Sequence, residues 1–165
     1  MNKILKVSLL ITLSTILAIA AVIAINTIGD HHMGLFSGKR PTDLGYTNGK
    51  FKPMPRSPNA VSSTTAKDDK HYIEPLKFDG SADVAWKRLN EIVSGQKGAT
   101  VVSTNAGYTY AEFKTPLMGY IDDVEFALDA GASVIHVRSA SRLGESDLGL
   151  NRKRVEAIRT AFGQK

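Results

Sequence analysis

The sequence contains no cysteine among its 165 residues. A thiol nucleophile, a disulfide, a lipid-modified cysteine and a zinc site with sulfur ligands are therefore excluded. Without disulfides, a hydrophobic core must supply the stability of the fold. The composition allows such a core, because 42% of the residues are hydrophobic and 22% are charged, as in ordinary globular proteins.

Several diagnostic motifs are also missing. The sequence has no Walker loop, no Gly-x-Ser-x-Gly elbow and no dinucleotide-binding fingerprint, so the common nucleotide-binding and α/β-hydrolase classes have no support. The net charge of +5 is modest, and no zinc finger, basic zipper or RNA-binding motif accompanies it. We therefore predict no nucleic-acid partner, no cofactor and no metal.

Residues 1–30 are predicted to be a membrane anchor or a signal segment. Lys3 and Lys6 precede an uncharged stretch at residues 7–28, which is long enough to cross the hydrocarbon layer as a helix. The lysines favour a cytoplasmic start, so the remaining chain is expected in the periplasm or outside the cell, on a single-pass inner-membrane protein. Residues 18–20 also fit a cleavage site, so a cleaved signal stays open.

Residues 31–61 are predicted to be a linker. They hold four of the six prolines, which favour extended chain. Their excess of basic residues suggests either contact with anionic headgroups or simple solubility. His31 and His32 are a pair that could capture a metal, but no third ligand is near in sequence, which favours a solvated linker.

Residues 62–165 are predicted to form one α+β domain with a single antiparallel sheet of about five strands and two main helices. The apolar periodicity indicates strands at 72–78, 99–103, 108–115, 124–128 and 133–140, and helices at 82–93 and 152–162. Ser81 and Asn151 are the expected helix N-caps. Short, hairpin-like connections favour antiparallel pairing over a parallel sheet.

Strand alternation predicts that one sheet face is apolar and the other is charged. Val124 and Phe126 share the first face, whereas Asp123 and Glu125 share the second. Such a pattern is typical of an antiparallel sheet packed on one side only, with its charged face in water.

An acid and a histidine on that charged face form the first candidate site. Glu125 and His136 are expected on the same side, where the acid could orient the ring for general-base hydrolysis. With Asp122 and Asp123 they could instead hold a metal, although the spacing is not diagnostic. The simpler alternative is cross-strand pairing on a solvated face.

The second candidate is an arginine-rich segment at residues 138–154, which leads into the last helix. Arginine forks, hydroxyls and helix N-terminal amides bind phosphate or carboxylate. The residues proposed to bind such an anion are Arg138, Ser141, Arg142, Ser146, Arg152 and Arg154. The alternative is an internal salt-bridge network with Glu145, Asp147 and the acids of the sheet.

Several segments together resemble a known family. They are residues 34–45, 57–63, 72–76, 122–126, 136–149 and 151–159. This pattern is similar to the DUF1499 family of bacterial envelope-associated domains, from which no activity can be carried over. The resemblance implies a cysteine on each side of the Ser-Pro-Asn turn, where this chain has Met54 and Ala60.

Three hypotheses of function follow, of which the third is a scaffold for a membrane complex. The first is a membrane-anchored, extracytoplasmic domain that binds an anionic envelope ligand or an envelope protein without catalysis. The alternative is a hydrolase that uses Glu125 and His136.

Overall fold

The computed structural model describes residues 3–28 and 36–163, so His31 and His32 lie outside the described residues. These ranges contain the helices α1 (Lys3–Ile28), α2 (Ala82–Ser94) and α3 (Leu150–Gly163), and the strands β1 (Ala60–Ser62), β2 (Leu76–Lys77), β3 (Ala99–Thr104), β4 (Tyr108–Lys114), β5 (Ile121–Asp129) and β6 (Val134–Ser141). Within them, no helix is long and apolar enough to cross a membrane.

The strands form one antiparallel sheet, which confirms the predicted α+β class. Their order is β1-β6-β5-β4-β3, and β2 also pairs with β6. The described sheet has six strands where about five were predicted, because residues 60–62 add β1. The predicted strand at residues 72–78 is reduced to β2, since Pro75 within it has no amide hydrogen for a continuous ladder.

The two helices α2 and α3 cover the apolar face of the sheet. Phe126 and Val137 of the sheet are fully buried against Leu89 of α2 and Ile158 of α3. Burying side chains of this size stabilises a domain by about 1.5–3 kcal/mol each. The predicted register is therefore confirmed on this face. Val84, an apolar residue of α2, is 67% exposed and lies outside this core.

Ser81 is at the N-cap position of α2, as predicted, whereas Asn151 is not the N-cap of α3. Ser81 precedes α2, but its side chain makes no capping hydrogen bond. At α3 the cap is Asp147, whose Oδ1 accepts from Gly149 N at 3.0 Å and whose Oδ2 accepts from Asn151 N at 2.7 Å. Asn151 lies inside the first turn and is fully buried. Its side-chain amide donates to Asn59 O and Ser141 Oγ, and these bonds hold the helix on the sheet.

The charged face of the sheet is covered by residues 36–59, which we call the strap. Gly45 N of the strap donates to Glu125 Oε1 at 2.8 Å, and the Tyr46 ring stacks on His136 at 5.8 Å. Asp123 is only 2% exposed and Glu125 is 0% exposed. The prediction of a charged face in water is therefore wrong. Residues 36–61, predicted as a linker, pack on the sheet instead.

Candidate functional site

A network of charged side chains lies between the strap and the sheet. Its members project from the charged sheet face or from the strap, and they are Arg40, Tyr108, Tyr110, Glu112, Asp123, Glu125, Arg138 and Arg142. Three arginines face three carboxylates, so the network is electrically balanced.

Arg142 is at the centre of one half of this network. Its Nε donates to Asp123 Oδ2 at 2.9 Å, and its Nη2 donates to Tyr110 Oη at 3.0 Å and contacts Glu112. Burial raises the pKa of Glu112, but hydrogen bonds from Arg40 and Arg142 outweigh this effect and lower the pKa to about 2. Glu112 is therefore ionised throughout the physiological range.

Glu125 and Arg138 form the other half. Arg138 Nη1 donates to Glu125 Oε2 at 3.0 Å, while Tyr108 Oη and Gly45 N both donate to Glu125 Oε1 at 2.8 Å. Burial, with the negative charge of Glu125, raises the pKa of Tyr108 far above its usual value. Among the described residues, Arg138 Nε is buried without a hydrogen-bond partner.

Arg154 lies on the opposite side of the sheet. Its Nη2 donates to Asp122 Oδ2 at 2.5 Å, and its guanidinium lies 4.8 Å from the centroid of the Phe113 ring. Because successive residues of a strand face opposite sides, Asp122 is separated from Asp123 by the sheet. The predicted cluster of Asp122, Asp123, Glu125 and His136 is therefore divided. In the described residues, no group of three or more acids and histidines is arranged to hold a metal.

The structure also divides the arginine-rich segment. Arg138 and Arg142 lie under the strap. Arg154, on α3, lies on the other side of the sheet together with Ser141, whose Oγ accepts from Asn151 Nδ2 at 2.9 Å. Ser146 Oγ accepts from the Leu148 amide in an exposed loop. The arginines at 138, 142 and 154 all contact internal carboxylates, which is the arrangement of the salt-bridge alternative.

His136 lies beside Ser63 and Asp129. Its Nδ1 is 3.1 Å from Ser63 Oγ, and its Nε2 is 4.0 Å from Asp129 Oδ2. Burial lowers the pKa of His136, against the opposing effect of Asp129, so the ring is neutral near pH 7. Glu125 shares the sheet face with His136, as predicted, but its two oxygens bind Tyr108, Gly45 and Arg138.

Arg152, the remaining arginine of the predicted set, lines a groove of about 700 Å³ between α3 and the chain before β2. The cationic side chains of this groove are Lys67, Lys77, Arg152 and Arg159, and its acids are Glu74 and Glu156. Ile73, Pro75, Leu76 and Phe162 provide apolar surface. A groove with net positive charge and an apolar wall can accept an anion that carries an apolar group.

Backbone carbonyls hold two of the groove's guanidinium groups in place. Arg152 Nη2 donates to Tyr72 O at 2.8 Å and to Lys70 O at 3.1 Å. Arg159 Nη1 donates to Pro75 O at 2.7 Å, and its Nε donates to Glu156 at 2.9 Å. The Arg152 bonds use one nitrogen, so a ligand can approach its Nε and Nη1 edges. The backbone contacts pre-orient both cations and leave the charge of Arg152 unneutralised, whereas Arg159 also pairs with Glu156.

Several residues that complete both arrangements could not be found from local sequence patterns. Arg40 lies in the predicted linker, and no local pattern connects it to Glu112, which lies 72 residues away. Tyr108 and Tyr110 alternate with residues of the apolar face in β4, so this alternation is a local signal that they share a face with Glu112. Lys67, Lys77 and Arg159 had none, because they converge only when α3 packs beside β2.

No curated protein matches the chain. Residues 50–162 match the family described as "Protein of unknown function (DUF1499)". This range includes all six strands and both helices of the α+β fold. The chain therefore belongs to the DUF1499 family of proteins of unknown function.

Proposed function

We propose that this chain is a membrane-attached domain outside the cytoplasm that binds an anionic envelope ligand without catalysis. The observation that carries the binding proposal is the groove between α3 and residues 67–77, with four cationic side chains against two acids. Of the six side chains predicted to bind a ligand, Arg152 alone lines this groove.

The groove favours an amphiphilic anion. A volume of about 700 Å³ lies within the usual range for small-molecule sites. Arg152 and Arg159 offer guanidinium donors suited to phosphate or carboxylate, while Leu76 and Phe162 offer an apolar wall. An envelope protein that presents a carboxylate or phosphate beside an apolar residue is the other partner that this chemistry supports.

Phosphate should raise the melting temperature of the full chain in detergent more than chloride does at equal ionic strength. A ligand that binds only the folded state stabilises it in proportion to its saturation of the site. Arg152→Ala should abolish this difference, because it removes a groove cation of α3 whose guanidinium is held by the carbonyls of Lys70 and Tyr72. Differential scanning fluorimetry across a phosphate titration measures the effect.

The matched control is Lys153→Ala, which removes a neighbouring exposed charge that does not line the groove. This variant should retain the full phosphate effect. Equal loss in both variants would indicate general screening of a basic surface, and an unchanged response in Arg152→Ala would rule out the groove as the site.

The alternative function, a hydrolase that uses Glu125 and His136, has less support. Both oxygens of Glu125 already accept hydrogen bonds, so the carboxylate is not available to orient the imidazole. Ser63 is a better candidate than Glu125 for a catalytic partner of His136, because its hydroxyl contacts the ring as a nucleophile would contact its base. However, Ser63 Oγ also accepts a hydrogen bond from Val137 N at 2.9 Å. If the chain is a hydrolase, the wild type must turn over a substrate, and His136→Ala must abolish that turnover.

Attachment through residues 7–28 is supported by the uncharged sequence of this stretch and by the exposed apolar side chains of α1. Leu10 and Leu17 are 66% and 62% exposed, and an apolar helix surface without a protein partner suits a lipid environment. A reporter that is active only outside the cytoplasm should work when fused after Lys165. A silent fusion, with an active cytoplasmic reporter at the same position, would contradict the proposed location.

A further inference from the structure

An exposed apolar patch lies on the domain and shares no lining residue with the basic groove. Its members are large apolar side chains of the β4–β5 loop, of the chain between β6 and α3, and of the start of α3, and they are Leu117, Met118, Leu143, Leu148 and Leu150. Their exposure ranges from 36% to 88%. Clusters of this kind on a soluble surface mark sites of protein or membrane contact.

Tyr120 links the two parts of the patch. Leu143, Leu148 and Leu150 line one cavity of about 250 Å³ together with Tyr120, and Tyr120 is in the same loop as Leu117 and Met118. The start of the strap borders this patch, because the Phe36 ring packs on Tyr120 with their centroids 5.2 Å apart. An added Cβ at Gly38 would lie 3.1 Å from Leu143 Cγ, so Gly38 also touches the patch.

The chain displays Leu148 outward. Leu148 has a φ of +54°, a left-handed conformation that a leucine rarely adopts. Hydrogen bonds from the Leu148 amide to Ser146 Oγ and from the Gly149 amide to Asp147 Oδ1 hold this turn. The result is a leucine that is 88% exposed at the outermost point of the patch.

The position of the patch along the chain indicates what covers it. α1 ends at Ile28, eight Cα–Cα steps before Phe36, so the two residues are at most about 28 Å apart even with fully extended chain between them. Phe36 itself borders the patch. A membrane that holds α1 is therefore within reach of this face. The exposed Lys39, next to Gly38, adds a positive charge that anionic headgroups attract.

We infer that this apolar face lies against the surface of the same phospholipid bilayer to which α1 attaches the chain. The inference rests on the proposed membrane attachment. Leu148 and Leu117 insert among the headgroups and upper acyl chains, Tyr120 and Phe36 lie at the interface, and Lys39 contacts lipid phosphate. Docking in this way fixes the orientation of the domain and keeps the groove beside α3 at a defined position relative to the membrane.

The absence of cysteine allows a direct test with single labelled positions. The full chain carrying Leu148→Cys or Leu117→Cys is labelled with a fluorescent probe and reconstituted in vesicles of phosphatidylethanolamine and phosphatidylglycerol. Val84→Cys is the matched control, since Val84 is an exposed apolar residue on α2, outside the patch. Nitroxide-labelled lipids should quench the probes at 148 and 117 and not at 84, whereas aqueous iodide should quench mainly the probe at 84.

Co-sedimentation of the same samples with vesicles separates the two proposals. If the chain sediments and the probes at 148 and 117 are quenched by iodide as strongly as the probe at 84, attachment holds and docking is overturned. If the chain does not sediment, attachment fails and docking fails with it. If the probes at 148 and 117 are shielded from both quenchers in proportion to protein density, a second copy covers the face and bilayer docking is overturned.

Discussion

Replacing Arg142 with methionine should lower the free energy of unfolding by about 3–5 kcal/mol, the usual cost of leaving buried charges without their partner. Arg142 is 4% exposed and contacts Asp123, Glu112 and Tyr110. Methionine fills similar volume but supplies no donor, so both carboxylates lose a cation that they cannot exchange for water. Urea denaturation followed by circular dichroism measures the loss.

The control for this change is Lys153→Ala, at an exposed position outside the network, which should change stability by about 0.5 kcal/mol or less. The comparison also separates the two interpretations of the arginine-rich segment. An anion-binding Arg142 could be removed with little effect on folding in ligand-free buffer. A loss below about 1 kcal/mol would show that the network does not depend on this arginine.

Acid should remove the contribution of Glu112 to stability over a defined pH range. The pKa of Glu112 is about 2 in the folded chain, against an ordinary value of 4.5. Because the folded pKa is lower, the stabilisation is complete above pH 4.5 and is lost as the pH falls towards 2. This difference corresponds to about 3 kcal/mol. Urea denaturation at a series of pH values measures it.

Glu112→Gln should therefore be less stable than the wild type above pH 4.5, and the two curves should converge as the pH approaches 2. Glutamine keeps the shape of the side chain but cannot carry the charge that Arg40 and Arg142 contact. As a control, Glu91→Gln changes an exposed surface pair with Lys87 and should give a curve parallel to that of the wild type. A constant gap between wild type and Glu112→Gln at all pH values would contradict the assignment.

Much of the fold was accessible from local patterns. The alternation at residues 124–128 predicts Phe126 on the helix face and Glu125 on the other, as the register of β5 with β4 and β6 confirms. α2 begins at Ala82, as predicted. These elements follow from period-2 and period-3.6 patterns of apolar residues, which each segment carries by itself.

The strap was not accessible in this way. Its prolines and glycines produce no period, so the sequence pattern resembled a linker, although Phe51 is 6% exposed and Gly45 bonds to Glu125. What holds the strap is the charge on a distant sheet face. An arginine 72 residues from its carboxylate leaves no local signal, because the pairing exists only after the sheet has formed.

Composition and short-range geometry are enough to predict the class of the fold, the absence of thiol chemistry, and which residues share each strand face. The covering of the charged face, the separation of Arg138 and Arg142 from Arg154 by the sheet, and the meeting of Arg152 with Lys67, Lys77 and Arg159 in a groove become visible only in the folded chain. Those outcomes depend on which distant segments pack together, and the free energy of burying and pairing charges depends on that packing.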